Sequence, residues 1–252
     1  MGQETQLAIL FVVGVISGFI NILAGGGSLL TLPALIFLGL PGTEANGTNR
    51  IAILIQNLVG LAGFHKHKVL PVKVSLLASI PAVFGAVIGA SLAVKIPDEL
   101  FKPILATIMI GVLIILFFDP SRRIISKHKS NSKRRQVLFY FGFFCVGFYG
   151  GFIQAAVGFF IIILMLTAGF DLIQTNAAKL LITLLFTIVA LVIFIANDQV
   201  NYLLGAVLGI GNAFGGWAAT HVAIKKGHSW IRGFVMVSVT LFALKLFADS
   251  LL

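Results

Sequence analysis

The feature that most constrains this chain is a run of about 20 apolar residues that recurs along it, each long enough to cross a hydrocarbon core. Such runs lie at residues 7–24, 74–94, 100–118, 177–196, 202–223 and 231–248. In lipid, every backbone N–H and C=O must find its partner inside the protein, which leaves helices or a closed barrel. The runs are consecutive Leu, Ile, Val and Phe rather than the alternation of barrel strands. Composition agrees: 59% of the 252 residues are hydrophobic and 10% charged, against about 25% charged in a soluble domain. The predicted fold is all-α, a polytopic transmembrane helix bundle of about eight long helices plus two short or broken segments.

The formal net charge is +10. In a soluble protein that would suggest nucleic-acid binding. Here seven of the 18 Lys and Arg fall between Arg122 and Arg135, which reads as a cytoplasmic loop by the positive-inside rule. Nucleic acid is therefore not an expected partner, whereas the lipid bilayer is. The single cysteine, Cys145, sits in an apolar run and excludes an intramolecular disulfide and the Cys₄ or Cys₂His₂ zinc sites. Its expected role is a buried structural one. No cofactor or metal signature is present, and no nucleophile–base–acid set suggests an enzyme. The N-terminus lacks the basic region of a cleaved signal peptide.

Two short apolar segments interrupt the pattern. Residues 29–40 follow the Gly25-Gly26-Gly27-Ser28 break, and residues 159–169 follow Gly158. A polar patch follows each: Pro41 to Arg50, and Asp171 to Asn176. Helices are then expected at 45–64 and 177–196. The two halves also align. Residues 13–21 match 146–154 at constant offset, bringing Asn21 onto Gln154 and Gly25 onto Gly158. Asn46 then meets Asn176, Asn49 meets Lys179, and Gly85-x-x-x-Gly89 meets Gly211-x-x-x-Gly215. Recurrence of glycines and amides in order points to a duplication. The expected organisation is a first repeat at 1–118, a basic cytoplasmic linker at 119–136, and a second repeat at 137–252.

Loop charge orients the halves. The loops at 66–73, 122–135 and 225–232 are basic, whereas 197–201 carries Asp198 and no Lys or Arg. With the basic loops in the cytoplasm, the first half runs from outside to inside and the second from inside to outside, giving inverted repeats. The short segments either cross as short helices or form re-entrant elements with the preceding runs; the sequence leaves both open. Inverted repeats with paired, glycine-interrupted segments point to a secondary transporter with its site near the midplane.

Helix ends exposed at such breaks suit an anion, because a helix N-terminus presents free N–H groups and partial positive charge. The candidate substrate-binding residues are Asn21, Gly25, Gly26, Gly27, Ser28, Asn46, Thr48, Asn49, Arg50, Gln154, Asn176 and Lys179. Arg50 and Lys179 precede unbroken apolar runs, and an ionisable residue at membrane depth is functional by default. The plainer role for each is an interfacial cation. Facing each other, they would make a positive, amide-lined cavity. Gln56 and Asn57 are weaker candidates for the same path. His221 is read as a helix-packing residue and secondarily as a proton relay. Glu44 and Asp171 are read as helix N-terminal acids, and the two G-x-x-x-G pairs as close helix contacts.

These residues resemble the TauE/SafE family of sulfite-exporter-type permeases. The likeness rests on the stretch from Gly18 through Asn21 to Ser28, on Asn46-Gly47-Thr48-Asn49-Arg50, and on their echo from Gly150 through Gln154 to Asn176. It implies transport of a small anion, such as sulfite, an organosulfonate or a related sulfur-containing or organic anion, by alternating access. It also implies proton coupling and residence in the cell inner (plasma) membrane, with a homo-oligomer compatible. The second half lacks the triple glycine, which favours one asymmetric central site over two equivalent ones. The alternatives are an anion channel and a non-transporting membrane assembly protein.

Overall fold

The structure is a computed structural model and describes residues 2–66, 68–118 and 133–226. The linker at 119–132 and the expected helix at 231–248 lie outside the described residues. Nine helices are described, with no strand among them. They are α1 (Gln3–Ala24), α2 (Ser28–Phe37), α3 (Gly42–Lys66), α4 (Val72–Ala93) and α5 (Asp98–Phe118), then α6 (Lys133–Phe152), α7 (Val157–Thr167), α8 (Leu172–Ala196) and α9 (Tyr202–Lys226). Four are long and apolar enough to cross a membrane by length and composition, and α2 and α7 are the shorter apolar helices. Large apolar side chains such as Phe84, Val192, Phe214 and Trp217 stand exposed on the outer surface, as expected where lipid is the solvent.

Two boundaries differ from the sequence expectation. The polar patches are the first turns of helices, because α3 starts at Gly42 and α8 at Leu172. Thr43, Asn46, Thr48, Asn49, Arg50, Thr175 and Asn176 are buried there, whereas Glu44 and Gln174 are half-buried and Asp171 is exposed. The second break falls at 153–156, ahead of Gly158 rather than at it.

The G-x-x-x-G pairs make the expected close contacts. Gly85 and Gly89 of α4 lie against the backbone of Phe144, Phe148 and Phe152 on α6. Gly211 and Gly215 of α9 lie against Phe11, Val15 and Phe19 on α1. Residue numbers rise together in both contacts, so each pair is parallel. Helix α3 is also parallel to α9, with Gly205 beside Ile51, Gly209 beside Ile55, and Gly63 beside Thr220. By contrast α3 and α8 are antiparallel, since Gly47 abuts Phe194 and Gln199 while Gly60 abuts Leu180.

Helices α1 and α2 form a hairpin that returns to its starting face. Leu10 near the start of α1 packs with Leu35 and Leu40 at the end of α2 and Ala45 at the start of α3. The 10 residues of α2 span about 15 Å, half of a core about 30 Å thick. Helices α6 and α7 do the same from the opposite face. Arg135 donates through Nη2 to the Thr167 carbonyl at 2.5 Å, and Gly142 faces Leu164. Both short segments therefore return rather than cross.

The hairpin tips meet inside the bundle. A Cβ on Gly158 would lie 2.6 Å from Gly25 Cα, so the backbones touch where no side chain fits. Gly25 also ends α1 at φ 76, a left-handed conformation that glycine adopts without cost. In the other hairpin Ala156 takes φ 54, at a cost of about 1 kcal/mol.

The two faces differ in charge. The start of α3, the start of α5 and the 197–201 loop share one face. There Gly42 N–H donates to the Asp98 carboxylate, Thr43 donates to Gln199 Oε1 at 2.8 Å, and Asn201 N–H donates to Thr48 Oγ1 at 2.8 Å. Lys73, Lys133, Arg134 and Arg135 lie at the other face, where α4 and α6 begin. The sequence-based expectation for Cys145 was wrong: it is exposed, on the outer side of α6. His221 is exposed among the described residues, its Nδ1 2.8 Å from the Trp217 carbonyl. Asp171 caps α8 with a full capping box, as an acid at that place should.

Candidate functional site

A helix that stops inside the bundle leaves its last carbonyls without intrahelical partners. Here the crossing helix of the other half supplies the missing donors. On α3, Arg50 and Asn46 are four apart and share a face. Arg50 Nη1 donates to Gly150 O at 3.0 Å, Arg50 Nη2 to Gly151 O at 2.6 Å, and Asn46 Nδ2 to Phe152 O at 2.7 Å. Three successive carbonyls at the end of α6 are thereby capped. The guanidinium also lies over Phe194, 4.5 Å from the ring centroid, a contact worth about 2 kcal/mol when desolvated.

Lys179 on α8 does the equivalent for α1. Its Nζ donates to the Asn21 and Ile22 carbonyls, each at 2.7 Å, and to Asn176 Oδ1 at 3.0 Å. An ammonium has three N–H donors, and all are used. Both cations sit where the helix macrodipole is negative. Arg50 is fully buried and Lys179 nearly so, and the buried charged groups include no carboxylate among the described residues.

With the C-terminal ends of α1 and α6 neutralised, the N-terminal ends of α2 and α7 face a narrow cavity. Ser28 opens α2, and Val157 and Gly158 open α7; all three line it with Asn21, Ile53, Asn57, Gln154, Lys179 and Thr183. Its interior has room for about one water molecule. Asn21 donates through Nδ2 to Gln56 Oε1 at 3.2 Å, and Gln154 through Nε2 to Thr187 Oγ1 at 2.6 Å. These aligned amides thus each bond to a crossing helix.

Of the sequence candidates, Asn21, Ser28, Gln154 and Lys179 line the cavity. The others hold the surrounding frame. Gly25 meets Gly158, and Gly27 packs against Ser17 and Asn21 while its carbonyl accepts from Ser17 Oγ at 2.9 Å. Gly26 is buried in the same turn. Asn49 Oδ1 accepts from Thr31 at 2.6 Å, Thr48 ties α3 to the 197–201 loop, Asn176 holds Lys179, and Asn46 and Arg50 cap α6. Arg50 does not line the cavity, so the two cations do not share one pocket. Thr183 and Thr187 were not found from sequence. A threonine in an apolar helix ordinarily bonds its own backbone, and nothing in their spacing separates them from that use.

A polar cavity reached by two broken helices inside a bundle of apolar helices is the architecture of membrane transport proteins. Comparison with known proteins narrows the class. The sulfite exporter TauE/SafE family matches residues 10–246, and the chain belongs to that family. It is 28% identical to a "Probable membrane transporter protein ORF9" of Sinorhizobium, over 96% of this chain and 93% of that protein. It is also 28% identical to the "Probable membrane transporter protein YfcA" of Escherichia coli K12, over 99% and 93%. A "Probable membrane transporter protein" of Haemophilus influenzae is 26% identical over 97% and 95%. No solved structure gives a significant match. The chain is a multi-pass membrane protein of a transporter family.

Proposed function

We propose that the protein is a secondary transporter that carries a small oxyanion by alternating access, binding it between the hairpin tips, where the cavity, closed here around about one water molecule, widens as the tips part. The substrate class is sulfite, an organosulfonate or a related sulfur-containing or organic anion. The observation that carries this reading is electrostatic. The N-termini of α2 and α7, Lys179 and several neutral donors converge on one cavity, and no carboxylate lines it among the described residues. Helix N-termini favour anions, and the absence of an acid from the lining removes the usual partner of a cation.

The halves act as inverted copies in this scheme. Support comes from the antiparallel run of the counterparts α3 and α8, from hairpins entering through opposite faces, and from the aligned Gly25 and Gly158 touching each other. Two equivalent residues touch when a two-fold axis passes between them. The basic face at Lys73 and Lys133–Arg135 is cytoplasmic on this reading. Access alternates as one hairpin and then the other moves off the tip contact.

Flux of labelled sulfite or an organosulfonate into proteoliposomes tests it. The expected result is saturable uptake that the purified protein confers and Lys179→Met abolishes. Unitary currents in a planar bilayer would point to a channel instead, and no uptake of any small anion would reject transport through this cavity.

A further inference from the structure

A second cavity opens at the basic face, where α4 and α6 begin and α7 ends. Its volume is about 460 Å³, the size of a small-ligand site. Its character changes with depth. Arg135, in the first turn of α6, lines the shallow end and is tethered there by its bond to the Thr167 carbonyl. Tyr140 lines it five residues on, about 7 Å further along the helix. Leu138, Phe139 and Leu164 form the deeper wall, and Leu164 sits beside Gly142 of α6. The flank is open, because Leu138 and Tyr140 are exposed on the surface where lipid is the solvent.

Charge at the mouth is positive. Arg135 is the one charged residue of the lining among the described residues. Lys133 and Arg134 stand exposed beside it in the chain, and Lys73 stands exposed beside Val74 of the lining. Asp171 follows Phe170 of the lining, but its carboxylate is turned onto the Ile173 and Gln174 N–H groups.

This pairing of surfaces selects one kind of occupant. A free oxyanion would meet a mostly apolar wall, and a wholly apolar molecule would sit against a guanidinium. A molecule with an anionic head and a hydrocarbon tail satisfies both ends, and the bilayer supplies it. Basic pockets between membrane helices hold anionic head groups in this way. We infer that the cavity is a binding site for an anionic phospholipid of the leaflet at the basic face. Its phosphate meets Arg135, whose planar fork suits phosphate oxygens. One acyl chain lies between Leu138, Phe139 and Leu164. A lipid seated there ties the root of the α6–α7 hairpin to α4.

The test uses the full chain purified in a mild detergent, with bound lipid counted by native mass spectrometry. The probes are phosphatidylglycerol, phosphatidylcholine with the same acyl chains, and inorganic phosphate. Phosphatidylglycerol is expected to be retained about tenfold more tightly than phosphatidylcholine. Arg135→Gln is expected to remove that preference. The exposed pair Lys133→Gln with Arg134→Gln is expected to lower it less than about threefold. Ala168→Trp fills the cavity from its wall and leaves every cation in place; it is expected to lower phosphatidylglycerol retention about tenfold. Equal retention of the two lipids would overturn the inference. So would an equal loss in the exposed pair and in Arg135→Gln, which would mark diffuse surface attraction, or unchanged retention in Ala168→Trp. Inorganic phosphate that displaces phosphatidylglycerol at equal concentration would mark a free-anion site and overturn it too. If Arg135→Gln and Ala168→Trp do not fold, the lipid preference of the exposed pair decides: kept, it supports the site, and lost, it overturns it. Binding is read without transport, so the outcome is independent of the proposed substrate.

Discussion

The two crossing helices solve the same problem with different cations, and only one of them reaches the cavity. On α3, a planar guanidinium bridges two carbonyls of α6 and lies over Phe194. Its fork fits adjacent acceptors, and it does not line the cavity. On α8, a compact ammonium reaches two carbonyls of α1 and lies on the cavity wall. The two caps are alike in kind, but only Lys179 lines the cavity. On the proposed inverted-repeat reading, a two-fold related frame would hold one asymmetric ligand, with one cation given to structure and the other shared between structure and binding.

The largest break in that comparison is expected from Lys179→Met. It removes the one charge in the lining among the described residues and the cap of α1, and flux should fall about 100-fold or more. Lys179→Arg should not restore it, because a planar fork does not fit three converging acceptors. Labelled-anion uptake measures both variants. Next is Gly25→Ala, which puts a side chain at φ 76 and against Gly158. A loss of about 3 kcal/mol is expected, read as a lower unfolding midpoint in detergent. Equal stability would mean the tips do not touch.

Arg50→Lys sharpens the contrast from the other side. The charge stays and the fork is lost, so stability should fall about 2 kcal/mol while anion affinity moves less than about threefold. Thermal unfolding and a binding titration separate the two; an affinity loss as large as that of Lys179→Met would make the cations equivalent. The smallest effect is expected at the helix starts. Helix α8 is capped by its own Asp171, whereas α3 receives Asp98 from α5. Asp171→Ala should cost about 1 kcal/mol without altering flux.

The spans were legible because apolar length is a direct consequence of bilayer thickness. The breaks were legible where glycine marks them, as at Gly25 to Gly27. The second break was misplaced by a few residues because Ala156 takes a conformation that sequence assigns to glycine. The helices were expected to start at 45 and 177, three and five residues late, because Pro, Gly, Thr and Asn favour turns. At α8 the Asp171 capping box starts the helix earlier, and at α3 the Asp98 carboxylate receives the Gly42 N–H. Lys179 and Asn21 were found because a cation and an amide recur in an apolar context. Arg50 carried the same signal, but which cation lines the cavity depends on how the two halves pack, which no local pattern encodes. Thr183 and Thr187 gave no signal for the same reason.

The central claim is that one oxyanion binds between the two hairpin tips. The most direct measurement is an anomalous-scattering map of the protein crystallised with selenite, a heavy analogue of sulfite. The account predicts one selenium peak within hydrogen-bonding distance of Ser28, Asn57 or Thr183 and beside Lys179. Selenium confined to the basic face at Lys73 and Lys133–Arg135, with the tips in dry contact, would contradict it.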